Sequence, residues 1–417
     1  MSNLRTFQIS EGINLHCLKD DKFTTNSVTF FIRTNLTNET AAKAALLARV
    51  LKSGCSEYPS VSLFNRHLQE LYGCTMDIFT FKKDCRLVLC LNFVFANKAV
   101  LLPKVFFVAG NTLLSPKTFL NRFMEADFSN GVYAQSKAIR SLKDNKTQYA
   151  IFRLYEEMCR DAEADEVSRS FSISADGSLK ELSLITPSTL HAFYNNLITS
   201  APMDVYCVGP ASGDEFKACF DKIPFFDMAR KKYQPCGRLK GTNTQTRIVN
   251  ESYSFTGLNQ AVLCIGYTFS NGSVYACEVL NEILSGPSGL LFNTVRQKEG
   301  LCYSIFSSIL PNTGVLSVCC QTDSKNINKA CQIISDCIKN AASATPEQLK
   351  TAKDSLCAKY SLITDSQQET TGFLFSCRLN SIIPDTDEYI QNIKSVSQSE
   401  IDGIVSSIKE QVIYTLN

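Results

Sequence analysis

The sequence predicts an α+β protein made of two tandem homologous domains, each a mainly antiparallel sheet packed with helices. Three observations support this fold class. The chain has 417 residues, which suits two units of about 200 residues better than one core. Apolar runs of strand length alternate with longer segments of helical period. The order of these segments in the first half returns in the second half, which indicates an internal repeat.

The first half contains the strands and helices of one complete α+β domain. Its elements follow from apolar periodicity of two for strands and 3.6 for helices. The predicted strands cover 5–18 (a pair), 28–32, 74–82, 86–95 and 203–208, and the predicted helices cover 40–52, 60–72, 98–113, 116–143, 146–160, 188–199 and a segment from 213.

The periodic pattern stops between 228 and 250, where Pro235, Gly237 and the run 241–244 are typical of a loop. We therefore predict an N-terminal domain over 1–227, a linker over 228–250 and a C-terminal domain over 251–417. The elements predicted for the second domain are a strand at 261–265, helices over 273–285 and 289–299, strands over 300–309 and 314–321, a helix over 324–341 and a last strand over 411–415.

Landmark residues recur in the two copies of the repeat. In each copy a strand leads to a helix that ends at a glycine, followed by a Leu-Phe-Asn tripeptide, a second helix and another glycine. In the first copy these landmarks are Gly54, Leu63-Phe64-Asn65 and Gly73, and in the second they are Gly286, Leu291-Phe292-Asn293 and Gly300. Differences between the copies can therefore be interpreted as a division of labour.

Composition excludes several classes of partner. The formal net charge is +2 and Lys231 and Lys232 form only a short basic run, so we expect neither nucleic acid nor an acidic membrane as a partner. The start of the chain, 1–6, lacks the apolar core of a signal peptide. The most apolar stretch, 93–114, is interrupted by Asn97, Lys98, Lys104 and Asn111. These features predict a cytoplasmic protein.

Eighteen cysteines are spread along the chain without any Cys-x-x-Cys pair, which removes the usual zinc-ribbon and redox signatures. Many stand inside apolar strand patterns, as Cys85 and Cys90 do. We therefore predict reduced, buried thiols that behave as small hydrophobic side chains.

One motif of the second half carries a family resemblance. Arg296 and Tyr303 stand seven positions apart around Gly300-Leu301, and the glycine-rich run Ser285-Gly286-Pro287-Ser288-Gly289 precedes them. With the strand-helix-helix-strand order of both halves, this motif resembles the pitrilysin/insulinase peptidases, the inverzincins. The resemblance covers almost the whole chain. The segment Leu71-Tyr72-Gly73 further resembles a bacterial group of insulinase-like proteins.

The resemblance implies a metal helix in the first half, and this helix has lost its ligands. In active members the two His of His-x-x-Glu-His bind zinc and the Glu is the general base. Ala45, Ala48 and Arg49 occupy these three places. Alanine has no lone pair and the arginine is a permanent cation, so we predict no zinc site and no cofactor.

The family's third zinc ligand is a Glu on a later helix. No acidic residue occurs from Phe128 to Lys143, and Glu125 and Asp127, just before that stretch, are candidate remnants. Zinc in a catalytic site needs three protein ligands, so a lone carboxylate would not hold it.

The three histidines give no local catalytic signal. His67 and Glu70 have the spacing of the first two motif members, but Leu71 stands where the second His is needed. We interpret this pair as a solvated surface pair. His16 and His191 are interpreted as ordinary surface or core residues. A cysteine hydrolase would need a thiolate near one of these three His, and no motif supports it.

Arg296, Tyr303, Gly286 and Gly289 are the predicted substrate-binding residues. An Arg fork and a phenol can both donate hydrogen bonds to a peptide carbonyl and stabilise an oxyanion. The glycines would let a peptide backbone approach closely, although the loop could equally be a helix C-cap and turn.

In dimeric members, the resemblance implies that the zinc helix of one subunit works with the Arg and Tyr of its partner. We therefore predict a non-catalytic subunit of a heterodimeric zinc metallopeptidase. Its partners would be a zinc-binding homologous subunit and a peptide or unfolded protein. The alternative is a catalytically inactive, homodimeric peptide-binding or scaffold protein.

Overall fold

The structure, a computed structural model, describes residues 3–160, 166–224, 230, 237–239, 245–252 and 260–417. It contains two compact units, each assembled from three stretches of chain. Unit 1 comprises Met1–Arg140, Ile173–Pro235 and Asp365–Leu379, and unit 2 comprises Ser141–Ser172, Cys236–Thr364 and Asn380–Asn417. Pro235 and most of the predicted linker lie outside the described residues, so the boundary at 228–250 stays a prediction.

Unit 1 is built on a six-stranded sheet. The strands of this unit are β1 (Leu4–Ser10), β2 (Ile13–Lys19), β3 (Thr25–Asn35), β4 (Thr75–Lys83), β5 (Arg86–Ala96), the short hairpin β6 (Thr118–Phe119) and β7 (Arg122–Phe123), and β8 (Met203–Gly209). The order in the sheet is β1-β2-β8-β3-β5-β4. All neighbours are antiparallel except β2 and β8. The central β3 is buried over most of its length, in keeping with its run of apolar residues.

Unit 2 repeats this plan with five strands. They are β9 (Arg247–Glu251), β10 (Gln260–Thr268), β11 (Cys302–Leu310), β12 (Val315–Asp323) and β13 (Lys409–Leu416). Their order is β11-β12-β10-β13-β9, with β13 and β9 parallel and the other neighbours antiparallel. This matches β4-β5-β3-β8-β2 of unit 1 strand for strand. The predicted fold class, two homologous α+β domains, is therefore confirmed.

Helices cover the sheets of both units. The α-helices among the described residues are α1 (Asn38–Leu51), α2 (Val61–Glu70), α3 (Leu101–Leu114), α4 (Glu125–Ser141), α5 (Lys146–Cys159), α6 (Glu166–Phe171), α7 (Leu179–Ser183), α8 (Pro187–Ser200), α9 (Gly213–Phe220), α10 (Val274–Ser285), α11 (Ile327–Asn340), α12 (Pro346–Leu362), α13 (Gln367–Leu379), α14 (Thr386–Ser395) and α15 (Gln398–Ser407). None of the described helices is long and apolar enough to cross a membrane.

Helix α13 belongs to unit 1 although it lies late in the chain. Phe375 stacks on Phe31 of β3 with ring centroids 4.2 Å apart. At the other end of the helix, the Gln367 side-chain amide donates to the backbone oxygens of Thr25 and Val208, at 2.7 and 2.8 Å. Stacked aromatic rings and buried hydrogen bonds both stabilise this attachment.

Helix α5 belongs to unit 2 although it lies in the first half of the chain. Tyr149 and Leu154 share one apolar core with Cys264 of β10 and Tyr414 of β13. The units therefore interleave along the sequence, because the apolar faces of α5 and α13 are covered by sheets that are distant in sequence.

Two predicted helices differ from the structure. The segment 116–143 begins with the hairpin β6–β7, because Leu120 and Asn121 adopt left-handed φ angles of 47° and 58° that form a tight turn. Helix α4 begins only at Glu125. The segment 289–299 contains a π-helix over Phe292–Lys298.

The cysteines follow the prediction at most positions. Among the residues that the structure describes, sixteen cysteines are free, and thirteen of these are buried. Cys85 is instead disulfide-bonded, so the prediction of a reduced thiol is wrong there. Its place in an apolar strand pattern had indicated a core residue, and Cys85 is indeed buried.

Candidate functional site

Helix α1 carries the three residues that the sequence predicts at degenerate metal-site positions. It begins with a capping box, in which the Thr37 hydroxyl accepts from the Thr40 backbone and Thr40 reciprocates. Ala45 and Ala48 are buried, and Arg49 is half-buried. Ala45 and Arg49 are four residues apart and so lie on one face of the helix, as metal ligands would. The face is formed, but it presents no metal-binding atom.

A glutamine contacts Arg49 where the family's third ligand is expected. The Arg49 Nε donates to Oε1 of Gln135, which is fully buried on α4. The Gln135 Nε2 in turn donates to the backbone oxygen of Asp176 at 2.7 Å. Gln135 was not among the predicted site residues, because the ligand expected on this helix is a carboxylate. An amide of the same shape as glutamate was the signal that could have found it.

Gly131 allows α4 to approach α1 closely, one turn before Gln135. A Cβ at this position would lie 3.0 Å from Leu46 Cδ1 and 3.1 Å from Val50 Cγ2. The small residue therefore brings the Gln135 amide within reach of Arg49.

The two candidate remnants of the third ligand do not contact Arg49. Asp127 forms an ion pair with Lys117 at 2.7 Å, and Glu125 begins α4. In the described parts of the chain, no three His, Cys, Asp or Glu side chains are grouped so that they could hold a metal ion.

The glycine-rich loop follows α10 in unit 2, and its two glycines are required by the backbone. A Cβ at Gly286 would lie 2.5 Å from the Glu282 oxygen, and one at Gly289 would lie 2.6 Å from the Leu284 oxygen. The Gly286 amide donates to the Glu282 oxygen at 2.7 Å and closes the helix. These contacts favour the interpretation of the loop as a C-cap and turn. A role in peptide binding stays a prediction.

The loop is also joined to strand β11. The Ser307 amide donates to the Ser285 hydroxyl oxygen at 2.6 Å, and the Ser307 hydroxyl donates to Asn281 at 2.9 Å. A cavity of about 340 Å³ opens beside the loop, lined among others by Gly286, Ser288 and Glu347. The loop is therefore held rigidly next to a recess of side-chain size.

Arg296 and Tyr303 are both exposed near the start of β11. Arg296 lies in the π-helix, with its guanidinium 5.2 Å from the centre of the Phe292 ring. Tyr303 is 53% exposed on β11, which is an edge strand of its sheet. Its hydroxyl donates to Asp323 at 3.0 Å, and this bond raises the pKa of Tyr303. Both side chains can therefore reach a ligand outside the unit.

Cys302 precedes Tyr303 in the chain, and the pKa of its thiol is lower than usual. A hydrogen bond with Cys320 lowers its pKa, and the charge of Arg296 lowers it further, although burial opposes both. The positive charge of Arg296 therefore favours the thiolate form of Cys302.

The three histidines have other partners. The His67 ring stacks on Tyr58 at 4.3 Å, and its Nε2 is 3.0 Å from the Tyr58 hydroxyl. His16 contacts Asp204 at 3.2 Å. His191 is buried and lies 3.3 Å from the amide of Asn195. These contacts explain the histidines without catalysis.

Comparison with known proteins is consistent with this arrangement. Residues 184–356 match the family described as "Peptidase M16 inactive domain". A relative from Bacillus subtilis (strain 168), named "Probable inactive metalloprotease YmfF", is 24% identical over 419 residues, covering 97% of this chain and 96% of the relative.

Two solved structures share the fold. A conserved protein from Enterococcus faecalis V583 aligns with a TM-score of 0.86 at 23% identity, covering 100% of this chain and 98% of that one. A peptidase M16 inactive domain from Pseudomonas fluorescens aligns with a TM-score of 0.80 at 15% identity, covering 99% and 98%.

The duplicated α+β fold is shared with a protein described as a peptidase M16 inactive domain, and Ala45, Ala48 and Arg49 of α1 offer no atom that binds zinc. The predicted resemblance to the pitrilysin/insulinase peptidases is confirmed. Over residues 184–356 this chain is similar to the inactive domain of the M16 peptidases, and over nearly its whole length it is similar to a probable inactive metalloprotease.

Proposed function

We propose that this chain is the non-catalytic subunit of a heterodimeric zinc metallopeptidase in the cytoplasm. The observation that supports the proposal is an asymmetry between the two units. Unit 1 has Ala45, Ala48 and Arg49 where zinc would bind, whereas unit 2 exposes Arg296 just before the edge strand β11 and Tyr303 on that strand. In this proposal a zinc-binding homologous subunit supplies the metal and the general base.

Arg296 and Tyr303 would bind the scissile peptide of the partner's active site. The guanidinium and the phenol can donate to the carbonyl oxygen and to the oxyanion that develops from it. The bond from Tyr303 to Asp323 keeps the phenol in a defined orientation until the substrate replaces the acceptor. Gly286 and Gly289 would hold the loop beside the bound peptide.

The test is the cleavage of a quenched fluorescent peptide by the complex of this chain with its zinc-binding homologue. We expect Arg296→Ala and Tyr303→Phe to lower kcat by about 10- to 100-fold, because each removes a donor to the transition state. The zinc content of the partner should not change. Lys298→Ala, an exposed cation of the same segment, is the matched control for Arg296. Tyr133→Phe, an exposed tyrosine of unit 1, is the control for Tyr303.

Unchanged turnover in both Arg296→Ala and Tyr303→Phe would contradict the proposal that these residues act in the partner's active site. Stoichiometric zinc in the isolated chain would contradict the non-catalytic role itself. If the chain forms only homodimers and binds peptide without cleavage, the alternative of an inactive peptide-binding or scaffold protein is the correct one.

A further inference from the structure

Arg49 carries a charge that no carboxylate of the described residues neutralises. Lys43 of the same helix is paired with Glu39, and Lys52, which directly follows the helix, is paired with Asp77. Arg49 is half-buried, and its one hydrogen bond within the described chain runs from Nε to the neutral amide of Gln135. A partly desolvated cation is normally paired with an anion. This unmatched charge indicates a place for an anion that comes from outside the chain.

The free end of the guanidinium is accessible and held in a defined position. Its two Nη atoms have no protein acceptor in the described ranges, and they are not among the buried unpaired atoms, unlike Nη2 of Arg230. The Gln135 amide is fully buried and is oriented by its bond to the Asp176 oxygen. Gln135 therefore fixes the Nε side of Arg49 and leaves the Nη side open. A receptor that is ordered before binding loses little entropy on binding.

We propose that the degenerate metal site is a receptor for a peptide carboxylate, with Arg49 as the binding residue and Gln135 as the positioning residue. A guanidinium fork matches a carboxylate in shape and in charge. The flanking Ala45 and Ala48 add no second cation, so the site suits a single negative charge better than a phosphate. Arg49 therefore gives the site a positive charge in place of zinc, but the site has no group that can activate water.

The carboxylate has two possible sources, the C-terminus of a peptide and an Asp or Glu side chain. The probe is a set of fluorescein-labelled ten-residue peptides randomised over neutral residues. One form has a free C-terminal carboxylate, one has a C-terminal amide, and one has the amide and a central Glu. Binding to the full-length chain is measured by fluorescence anisotropy. The peptide nature of the ligand rests on the proposed function, but the assay needs neither a partner nor turnover.

We expect at least one carboxylate form to bind about tenfold more tightly than the neutral amide, as a charge-assisted hydrogen bond implies. A gain in affinity for the peptide with the free C-terminus identifies the terminal carboxylate as the ligand. A gain in affinity for the peptide with the central Glu identifies the side-chain carboxylate. Arg49→Gln should abolish the gain. Arg66→Gln, an exposed arginine on α2, is the matched control and should retain it.

Gln135→Glu provides a second variant that keeps Arg49. The new carboxylate pairs with the guanidinium inside the protein and should compete with the ligand, so the gain is lost while the fold, checked by thermal unfolding, is retained. Equal binding of all three peptides, no detectable binding, or a gain that survives in Arg49→Gln would overturn the proposal. Arg296→Ala should leave the gain intact, so a failure here is distinguishable from a failure of the function in trans.

Discussion

Asp204 is the most deeply buried carboxylate of unit 1 that forms ion pairs. It lies on β8, with Arg33 Nη2 2.6 Å and Arg378 Nε 3.7 Å from its oxygens. His16 and Asn14 contact it at 3.2 and 3.1 Å. Burial raises the pKa of Asp204, but the bond from His16 and the charge of Arg33 together lower it below its usual value. Side chains from three elements, β2, β3 and α13, therefore contact one buried carboxylate.

Asp204→Asn should destabilise the protein by about 3–5 kcal/mol, because it removes the carboxylate that pairs with the buried Arg33. Denaturant unfolding measures the change. Asp214→Asn removes an exposed carboxylate from the pair with Arg5 and is the control, with a much smaller expected loss of stability, because solvent screens this pair.

The pH dependence of Asp204 follows from the same shift. A lowered folded-state pKa means that the stabilisation is fully present above the unfolded pKa of about 3.9 and is lost as the pH falls through the folded-state value. Stability of the wild-type protein should therefore drop more steeply below pH 4 than that of Asp204→Asn. Parallel pH profiles would contradict this role.

Cys302 should be the most reactive of the described thiols. Its pKa is lowered, whereas burial raises the pKa of Cys74 to about 12 and that of Cys331 to about 11. The thiolate is the nucleophile, so a limiting amount of iodoacetamide near pH 7.5 should modify Cys302 first. Peptide mass spectrometry identifies the modified site. Arg296→Ala should slow the reaction, and Lys298→Ala should not.

At the scale of single elements, the backbone of the glycine-rich loop leaves no room for a side chain at its glycines. Gly289 packs its backbone against the carbonyl of Leu284, so any side chain must displace main-chain atoms. At the hairpin β6–β7 and at the π-helix, the side chains follow the period of an α-helix, but the local backbone geometry departs from it. The apolar period alone therefore predicts one helix over 116–143, whereas the chain turns before α4 begins.

Gly289→Ala should destabilise unit 2 by about 1–3 kcal/mol, the usual cost of overpacking. Gly403→Ala is the matched control in helix α15, where a Cβ would meet no atom within 4 Å. This control should be neutral or should stabilise the protein by up to about 1 kcal/mol, since alanine favours the helix. Thermal unfolding compares the two variants. Equal melting temperatures would indicate that the loop tolerates a side chain.

At the scale of the whole molecule, the two units exchange helices along the chain. Unit 1 receives α13 from 365–379, and unit 2 receives α5 from 141–172. Each sheet therefore packs against a helix that the other half of the sequence encodes. A cut in the predicted linker separates each of these helices from its sheet.

Fragments 1–240 and 241–417 should not fold cooperatively when they are expressed alone, because each exposes the apolar surface that its missing helix covers. Co-expressed fragments should form a complex that co-purifies. Denaturant unfolding and dye binding to exposed apolar surface measure the difference. Phe375→Ala in the second fragment is the control, since it removes the ring that stacks on Phe31 and should weaken the complex. A cooperative transition in fragment 1–240 alone would contradict the interleaved arrangement.

The chain alone was enough to predict the fold class and, through the family resemblance, the absence of metal-binding side chains at Ala45, Ala48 and Arg49. Both depend on local information, since apolar period sets the elements and the chemistry of a side chain excludes metal binding. Only the tertiary structure decided that Gln135 holds Arg49, that Asp127 pairs elsewhere, and that α5 and α13 change units. Arg49 and Gln135 are 86 residues apart. Such contacts depend on which buried faces meet after folding, and no local pattern in the chain encodes that.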